Sequence, residues 1–427
     1  MKKIFTFIFL CVVLHANTLE FETHQFDNSN ELSTDVFVVD IDGDSDIDIL
    51  GAFYNSDRLV LYTNDGEQNF TEVLISDSCD EIWSIYSIDM NQNGHMDILA
   101  ACKNTVSLFE NDGNQNFIEN VINDSVNQTK DVFASDMDGD GDIDIISVES
   151  SSESGSVDWY ENDGNNNFTK YNIDSNAPAV RDVTASDMDN DGNMDLVAAI
   201  YNANHFAWYK NDGNQNFNKI EINANGVQDI HVVDVDGDMN KDILAACFHQ
   251  GIKWFKNDGE GNFNEIIIDD ECCGYGYTGV AGEDLDGDGD MDILASTHYT
   301  DTISWYENDG EQNFNEFQIS DSVERVYNGI YTADIDGDGD YDVIAPSEQN
   351  AWYENVLSIT GCTDETACNY NTDATDDDGS CLYMDCAGEC GGSALEDDCG
   401  VCGGDSSSCG IVTDIDGNVY GTKIFGE

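Results

Sequence analysis

The chain has 427 residues, 88 of them Asp or Glu against 14 Lys or Arg, for a formal charge of −74. A surface that acidic repels nucleic acid and anionic membrane, which removes both as partners. The excess serves solubility in a salty, calcium-containing medium, or attraction for cations and basic partners.

Met1-Lys2-Lys3 followed by apolar Ile4 to Leu14 reads as a secretory signal peptide over residues 1–16, with Ala16 as the cleavage residue. The apolar run is too short to span a bilayer, and Leu10 ahead of Cys11 is too large for the usual lipidation box. No later stretch reads as a transmembrane segment. The mature chain is expected to be a monomer, secreted or on a bacterial-type cell surface, where disulfides persist and calcium is available.

From residue 18 to 355 one unit recurs. Its clearest copy is Asp136-Met-Asp138-Gly-Asp140-Gly-Asp142-Ile-Asp144 followed by an apolar run. Carboxylates this close repel one another, and a hard cation removes the conflict. Ca²⁺ takes six to eight oxygens at flexible geometry from alternating positions of a tight loop. Positions 1, 3, 5 and 9 (Asp136, Asp138, Asp140, Asp144) would give carboxylates and position 7 (Asp142) its carbonyl, with Gly141 permitting the turn. The other copies are Asp40, Asp42, Asp44, Asp46 and Asp48; Asp89, Asn91, Asn93, His95 and Asp97; and Asp187, Asp189, Asp191, Asn193 and Asp195. Three more follow, at Asp234, Asp236, Asp238, Asn240 and Asp242, at Asp284, Asp286, Asp288, Asp290 and Asp292, and at Asp334, Asp336, Asp338, Asp340 and Asp342. First aspartates are spaced by 49, 47, 51, 47, 50 and 50 residues, a period that means a propeller or similar array. Up to seven Ca²⁺ ions, adding 14 positive charges, would bring −74 to about −60.

Each repeat carries four strand signals, and six carry Asn-Asp-Gly, as at Asn162-Asp163-Gly164, a strong hairpin signal. Period-2 alternation, two prolines and no helical periodicity predict an all-β chain. Four strands repeated seven times predict a seven-bladed β-propeller of antiparallel blades. Trp159, Trp208, Trp254, Trp305 and Trp352 recur at one phase and are expected to pack between blades. The seventh repeat ends at Asn355 without a fourth strand, and Leu19 to Phe26 matches the phase of Phe70 to Ile75. The N-terminal strand should therefore complete the last blade and close the ring.

Residues 356–410 change to a Cys/Gly/Asp-rich segment with Cys362, Cys368, Cys381, Cys386, Cys390, Cys399, Cys402 and Cys409. An even count in a short exported segment reads as a disulfide framework, with 105 possible pairings. The rival is zinc, from the Cys399-Gly-Val-Cys402 spacing. Residues 411–427 read as the start of a strand pair in a further, truncated module. In the ring, Cys79 and Cys102, and Cys247 with Cys272 or Cys273, suggest two disulfides and one spare thiol.

The seven loops followed by Asp-Ile-Leu or its variants, as at Asp48-Ile49-Leu50 and Asp292-Ile293-Leu294, resemble the FG-GAP/VCBS repeats of the integrin α-chain propeller. The resemblance implies that each loop joins the first and second strands of a blade and binds Ca²⁺ on the lower face. By position the ligands in the first loop would be Asp40, Asp42, Asp44 and Asp48. In the second, Asp89, Asn91, Asn93 and Asp97 surround His95, and neutral ligands make that site the weakest. Ser45 and Met239 replace the turn glycine in loops one and five. An EF-hand is excluded because Ser147, Ala295 and Ala345 stand where a bidentate Glu is required. Toxin-type nonapeptide repeats have the wrong period. The tail resembles spacers of large bacterial surface and secreted proteins, often of the type IX export route.

The resemblance implies ions that rigidify the ring and touch no ligand. Function is then expected on the opposite face, whose loops carry Tyr54, Tyr201, His205, His249, Tyr275, Tyr277, His298 and Tyr299. Exposed aromatics beside polar groups suit a glycan or an extracellular protein. The leading reading is a non-catalytic adhesion or binding module. The alternatives are a polysaccharide lyase or hydrolase, for which His205, His249 and His298 fall at like phases, and a structural stalk. No nucleophile motif or His-Glu-x-x-His is present.

Overall fold

Alternating apolar residues punctuated by Asn-Asp-Gly fold each repeat as a four-stranded meander. In the third repeat the strands are Thr129–Ser135, Asp144–Glu149, Ser156–Asn162 and Phe168–Asp174, paired antiparallel in that order. Ile145 lies opposite Tyr160 and Trp159 opposite Tyr171. Six sheets are built this way from consecutive strands. The seventh takes Tyr331–Ala333, Asp342–Ile344 and Ala351–Val356 and completes itself with Glu20–Gln25 from the other end of the chain. The seven-bladed, all-β ring and its closure are as the repeat predicts. The computed structural model describes residues 19–422, apart from 28, 30, 271–275, 324, 328, 357–359, 365, 372–375, 378, 397–401, 403–409 and 414. The signal-peptide reading and those on Cys272, Cys273, Tyr275, Cys399 and Cys409 lie outside the described residues. Among the described residues, Tyr201–Ala203 is the one helical turn, and no helix is long and apolar enough to cross a membrane.

Burial peaks in the second strand of each blade and is lower in the innermost strands and at the rim. The second strand of each blade is buried almost throughout, whereas the fourth, such as Phe70–Ser76, is largely exposed. No blade covers its own faces, so the core lies between blades. Met137, Ile146 and Trp159 of blade 3 pack with Val183, Leu196 and Tyr209 of blade 4. Trp208, Trp254 and Trp352 fill the matching places further round. These are packing residues, and truncating one such side chain to Ala costs about 3–5 kcal/mol.

The innermost strands add a polar tie that the sequence reading missed. Five residues before four of the loops stand Asp35, Asp131, Asp182 and Asp229. Each accepts a backbone N–H from the next inner strand: Ile85 to Asp35 and Val280 to Asp229 at 2.8 Å, Val183 to Asp131 at 2.8 Å, Ile230 to Asp182 at 2.9 Å. Asp35 also accepts the Tyr331 hydroxyl at 2.9 Å and Asp131 the Ser84 hydroxyl at 2.6 Å. Burial pushes Asp35 and Asp229 up to about 8, and raises Asp131 and Asp182, which share a hydrogen bond. Asp35 therefore holds a proton in the folded ring that the unfolded chain releases near its ordinary 3.8. Its contribution is fully present below pH 4 and is lost as pH rises towards 8. With calcium saturating, the melting temperature should fall from pH 5 to 9, and fall less in Asp35→Asn, which still accepts from Ile85. Equal slopes in the two proteins would remove Asp35 from the account.

Cys79 and Cys102 form a disulfide, worth about 3 kcal/mol for a loop of this length. The second ring disulfide fails on Cys247, a free thiol packed among Val197, Phe206 and Ile230 of an interblade core. Phe21–Asn355 is one compact unit, and Val356–Glu427 belongs to another. In the latter, Cys362–Cys381, Cys368–Cys390 and Cys386–Cys402 are paired. Cys402 is thus spent on a disulfide, which rules out the zinc reading of Cys399-Gly-Val-Cys402. Gly410–Thr413 and Val419–Thr422 form the expected strand pair.

Candidate metal centres and the opposite face

Every acidic loop joins the first and second strands of its blade, and its position-9 carboxylate opens the second strand in full burial. In blade 3, Asp144 accepts Met137 N–H at 3.0 Å and Asn162 N–H at 2.8 Å. Asp136 accepts from Gly139 and Gly141, Asp138 from Asp140, and Asp140 from Asp142. Positions 1, 3 and 9 converge, each offering an oxygen within 4.8 Å of the other two, in Asp40/Asp42/Asp48, Asp136/Asp138/Asp144, Asp187/Asp189/Asp195 and Asp234/Asp236/Asp242. Position 5 stands outside these triads.

The donor set fits a hard cation. One oxygen each of Asp189, Asp236, Asp284 and Asp334 is buried with no hydrogen-bond donor. A buried carboxylate oxygen without a partner is costly, and an oxygen-seeking divalent ion supplies what is missing. Burial first, then neighbouring carboxylates, push Asp286 and Asp336 up to about 6. Burial likewise holds Asp48, Asp97 and Asp195 near 6, Asp144 and Asp292 near 7, and Asp342 near 8.

The loops are not equivalent. Ser45 and Met239 adopt φ of +83° and +72°, so both keep the left-handed turn at a cost of order 1 kcal/mol. In loop two, Asn91 turns its amide to Asp97 at 3.3 Å. Lys210 pairs with Asp189 and Lys256 with Asp236, placing a cation inside loops four and five. The position-7 side chain lies against the hairpin glycine: a Cβ on Gly164 would come within 2.5 Å of Asp142 Oδ2.

The hairpin asparagine does more than turn the chain. Its amide N–H reaches the position-2 carbonyl of the preceding blade's loop: Asn64 to Ile335 (3.0 Å), Asn111 to Ile41 (3.3 Å), Asn211 to Met137 (2.9 Å), Asn257 to Met188 (2.7 Å) and Asn355 to Leu285 (2.9 Å). Gln115, Gln215 and Gln312 reach Asp42, Asp138 and Asp236 of the preceding loop at 2.9, 3.2 and 3.2 Å. Six of the seven loops are bolted to the next blade in this way.

FG-GAP-like repeats match six overlapping stretches, residues 40–100, 89–147, 136–198, 187–245, 234–295 and 284–345. The chain belongs to the FG-GAP-like repeat family. No curated protein matches it by sequence. Among solved structures, the FG-GAP-like ring is similar to an Agrocybe aegerita lectin described by its recognition of non-reducing terminal N-acetylglucosamine. That match has a TM-score of 0.52 and 16% identity, over 74% of this chain and 87% of the lectin. It is also similar to virginiamycin B lyase from Staphylococcus aureus, with a TM-score of 0.54 and 11% identity, over 80% of this chain and 100% of the lyase. At these identities the likeness is one of fold.

The opposite end of the FG-GAP-like ring is formed by the loops between blades and between second and third strands. Tyr54 meets Trp83 at 4.8 Å, and Lys130 Nζ lies 2.9 Å over the Trp83 ring. Arg181 lies over Tyr201, which contacts Phe248 at 6.1 Å. Phe248 meets Tyr299 at 5.5 Å, and His298 links Tyr299 to Tyr327. Trp83, Phe248 and Tyr327 escaped the sequence reading because nothing local marks them as surface residues. Tyr277 does not belong here. It is buried at the start of an inner strand, with its hydroxyl on Asp269 and Tyr306. His205 opens a third strand beside Glu221 rather than sitting in a loop. His298 is held by the Val326 carbonyl, and His249 packs on Phe248, so the three histidines share no partner.

Proposed function

We propose that this FG-GAP-like protein is an exported, calcium-stabilised adhesion or binding module that holds a glycan on the face opposite its acidic loops, without catalysis. In this reading residues 1–16 are the export signal, 18–355 the ring, 356–410 a spacer and 411–427 the start of a further module. Positions 1, 3, 5 and 9 of each loop, with the position-7 carbonyl, hold Ca²⁺, which supplies rigidity and touches no ligand. The observation that carries the reading is the run of aromatic rings from Tyr201 through Phe248 and Tyr299 to Tyr327, with Tyr299 61% exposed. Aromatic faces beside polar groups take sugar rings. The likeness to a sugar-binding lectin supports this choice over a protein ligand.

The test is a glycan array with the full mature chain in calcium. Retained binding without release of new reducing ends is expected, weakened at least tenfold in a Phe248→Ala/Tyr299→Ala double variant. Cleavage of a bound polysaccharide that His249→Ala abolishes would overturn the non-catalytic reading. A blank array would overturn the glycan.

A further inference from the structure

At the seam where the two ends of the ring meet, three ligating side chains come together. Glu22 and His24 stand two residues apart on the closing strand Glu20–Gln25, and so on one face of it. Glu354 stands on the neighbouring strand Ala351–Val356. Each offers one atom, a ring nitrogen or a carboxylate oxygen, within 4.8 Å of the other two. His24 Nε2 lies 2.5 Å from Glu354 Oε2, yet out of line for a hydrogen bond, and the nitrogen is buried from water. Its ring is held flat on Trp352, with 4.6 Å between ring centres.

This arrangement is particular to the seam. In the other six blades the residue before the hairpin asparagine faces an uncharged one, as Glu161 faces Thr169, Lys210 faces Asn218 and Glu307 faces Asn315. No other blade sets a histidine on its third strand at the place of Trp352, where Trp159 has Tyr171 and Trp305 has Phe317. Two carboxylates brought together across neighbouring strands repel. Among the described residues His24 is the one base within ion-pair distance of either. A single imidazole cannot offset both, and Asp336 of loop seven is close enough to feel the Glu354 charge as well. The seam therefore carries a surplus of negative charge even when His24 is protonated.

We infer that Glu22, His24 and Glu354 form a transition-metal site, of the kind zinc takes, that staples the first strand of the ring to the last blade. One nitrogen and two carboxylate oxygens suit zinc, with water in the fourth position, whereas calcium takes oxygen alone. Ligands about 2.0–2.2 Å from zinc lie roughly 3.4 Å apart in a tetrahedron, within the spacing the three atoms already have. The two strands lie more than three hundred residues apart in the chain. A clip that closes so long a loop is where a bound ion stabilises most. The site is distinct from the acidic loops in its ligands, its place and its ion.

Titration calorimetry of zinc into the full chain, in saturating calcium, should show one site that Glu22→Gln and His24→Phe each weaken at least about tenfold. That is the low end of what losing even an outer partner costs a metal site. Zinc should also raise the melting temperature of the parent and leave both variants unchanged. Cobalt in its place should give the visible absorption of a four-coordinate site, lost in the variants. His24→Phe keeps an aromatic ring on Trp352 and Glu22 is exposed, so both should fold, as melting in calcium alone would show. Glu354→Gln decides if either does not. Absence of zinc binding overturns the site and leaves His24 as a counter-charge between two glutamates. Zinc held equally by parent and variants, or displaced as calcium rises, places the ion elsewhere and overturns it too.

Discussion

Dialysis against a chelator should collapse the ring, lowering its melting temperature by tens of degrees and opening it to protease. The expectation follows from the loops. Each brings several carboxylates together, four of them with an oxygen that is buried and has no donor. An ion present at about a hundred times its dissociation constant contributes about 2.7 kcal/mol per site. Seven such sites add up to roughly 19 kcal/mol, above the 5–15 kcal/mol that holds most domains together. Loops two, four and five should empty first, because the first of these has neutral ligands and the others contain Lys210 and Lys256. Metal analysis against calcium concentration and thermal melting would check this. An unchanged melt after chelation, with no ion bound beforehand, would sink it.

Deleting residues 18–27 should cost the ring about 5 kcal/mol or more and make it associate. The deletion removes the fourth strand of blade 7 and leaves Ala351–Val356 as an open edge, a template for pairing with other chains. Phe26, 7% exposed, meets Tyr62 at 5.1 Å and Phe70 at 6.3 Å across the seam, and its N–H reaches the Asn350 carbonyl. His24 stacks on Trp352 at 4.6 Å. Losing Phe26 alone accounts for about 3–5 kcal/mol. Calorimetry and size-exclusion chromatography would show a lower melting temperature and oligomers. A truncated protein with the parent's melting curve would rule the closure out.

The architecture was readable because its signals are local and repeated. The Asp-x-Asp loops, the Asn-Asp-Gly hairpins and the period near fifty all point to one topology, and the missing fourth strand after Asn355 pointed to the one at the N-terminus. What escaped notice depends on partners one blade away. Asn257 reads as a turn residue until its amide is found on Met188, 69 residues earlier. Asp35 reads as one more surface acid until it is found buried at the axis on Ile85 N–H. Tyr277 looked like a loop aromatic because its phase in the inner strand is set by packing against blade 5. Lys130 and Arg181 gave no signal, since a lone base before an Asp is unremarkable without the ring that gathers them. The disulfide pairings of the tail were likewise open on spacing alone.

The closing strand also sets an order of events in time. Glu20–Gln25 is synthesised before every blade of the ring, yet its partner Ala351–Val356 appears more than three hundred residues later. Six blades can form as they emerge; the seventh waits for both ends to meet. Until then the nascent chain is an open arc with two unsatisfied edges, and that interval is when it most needs to be kept apart from its neighbours.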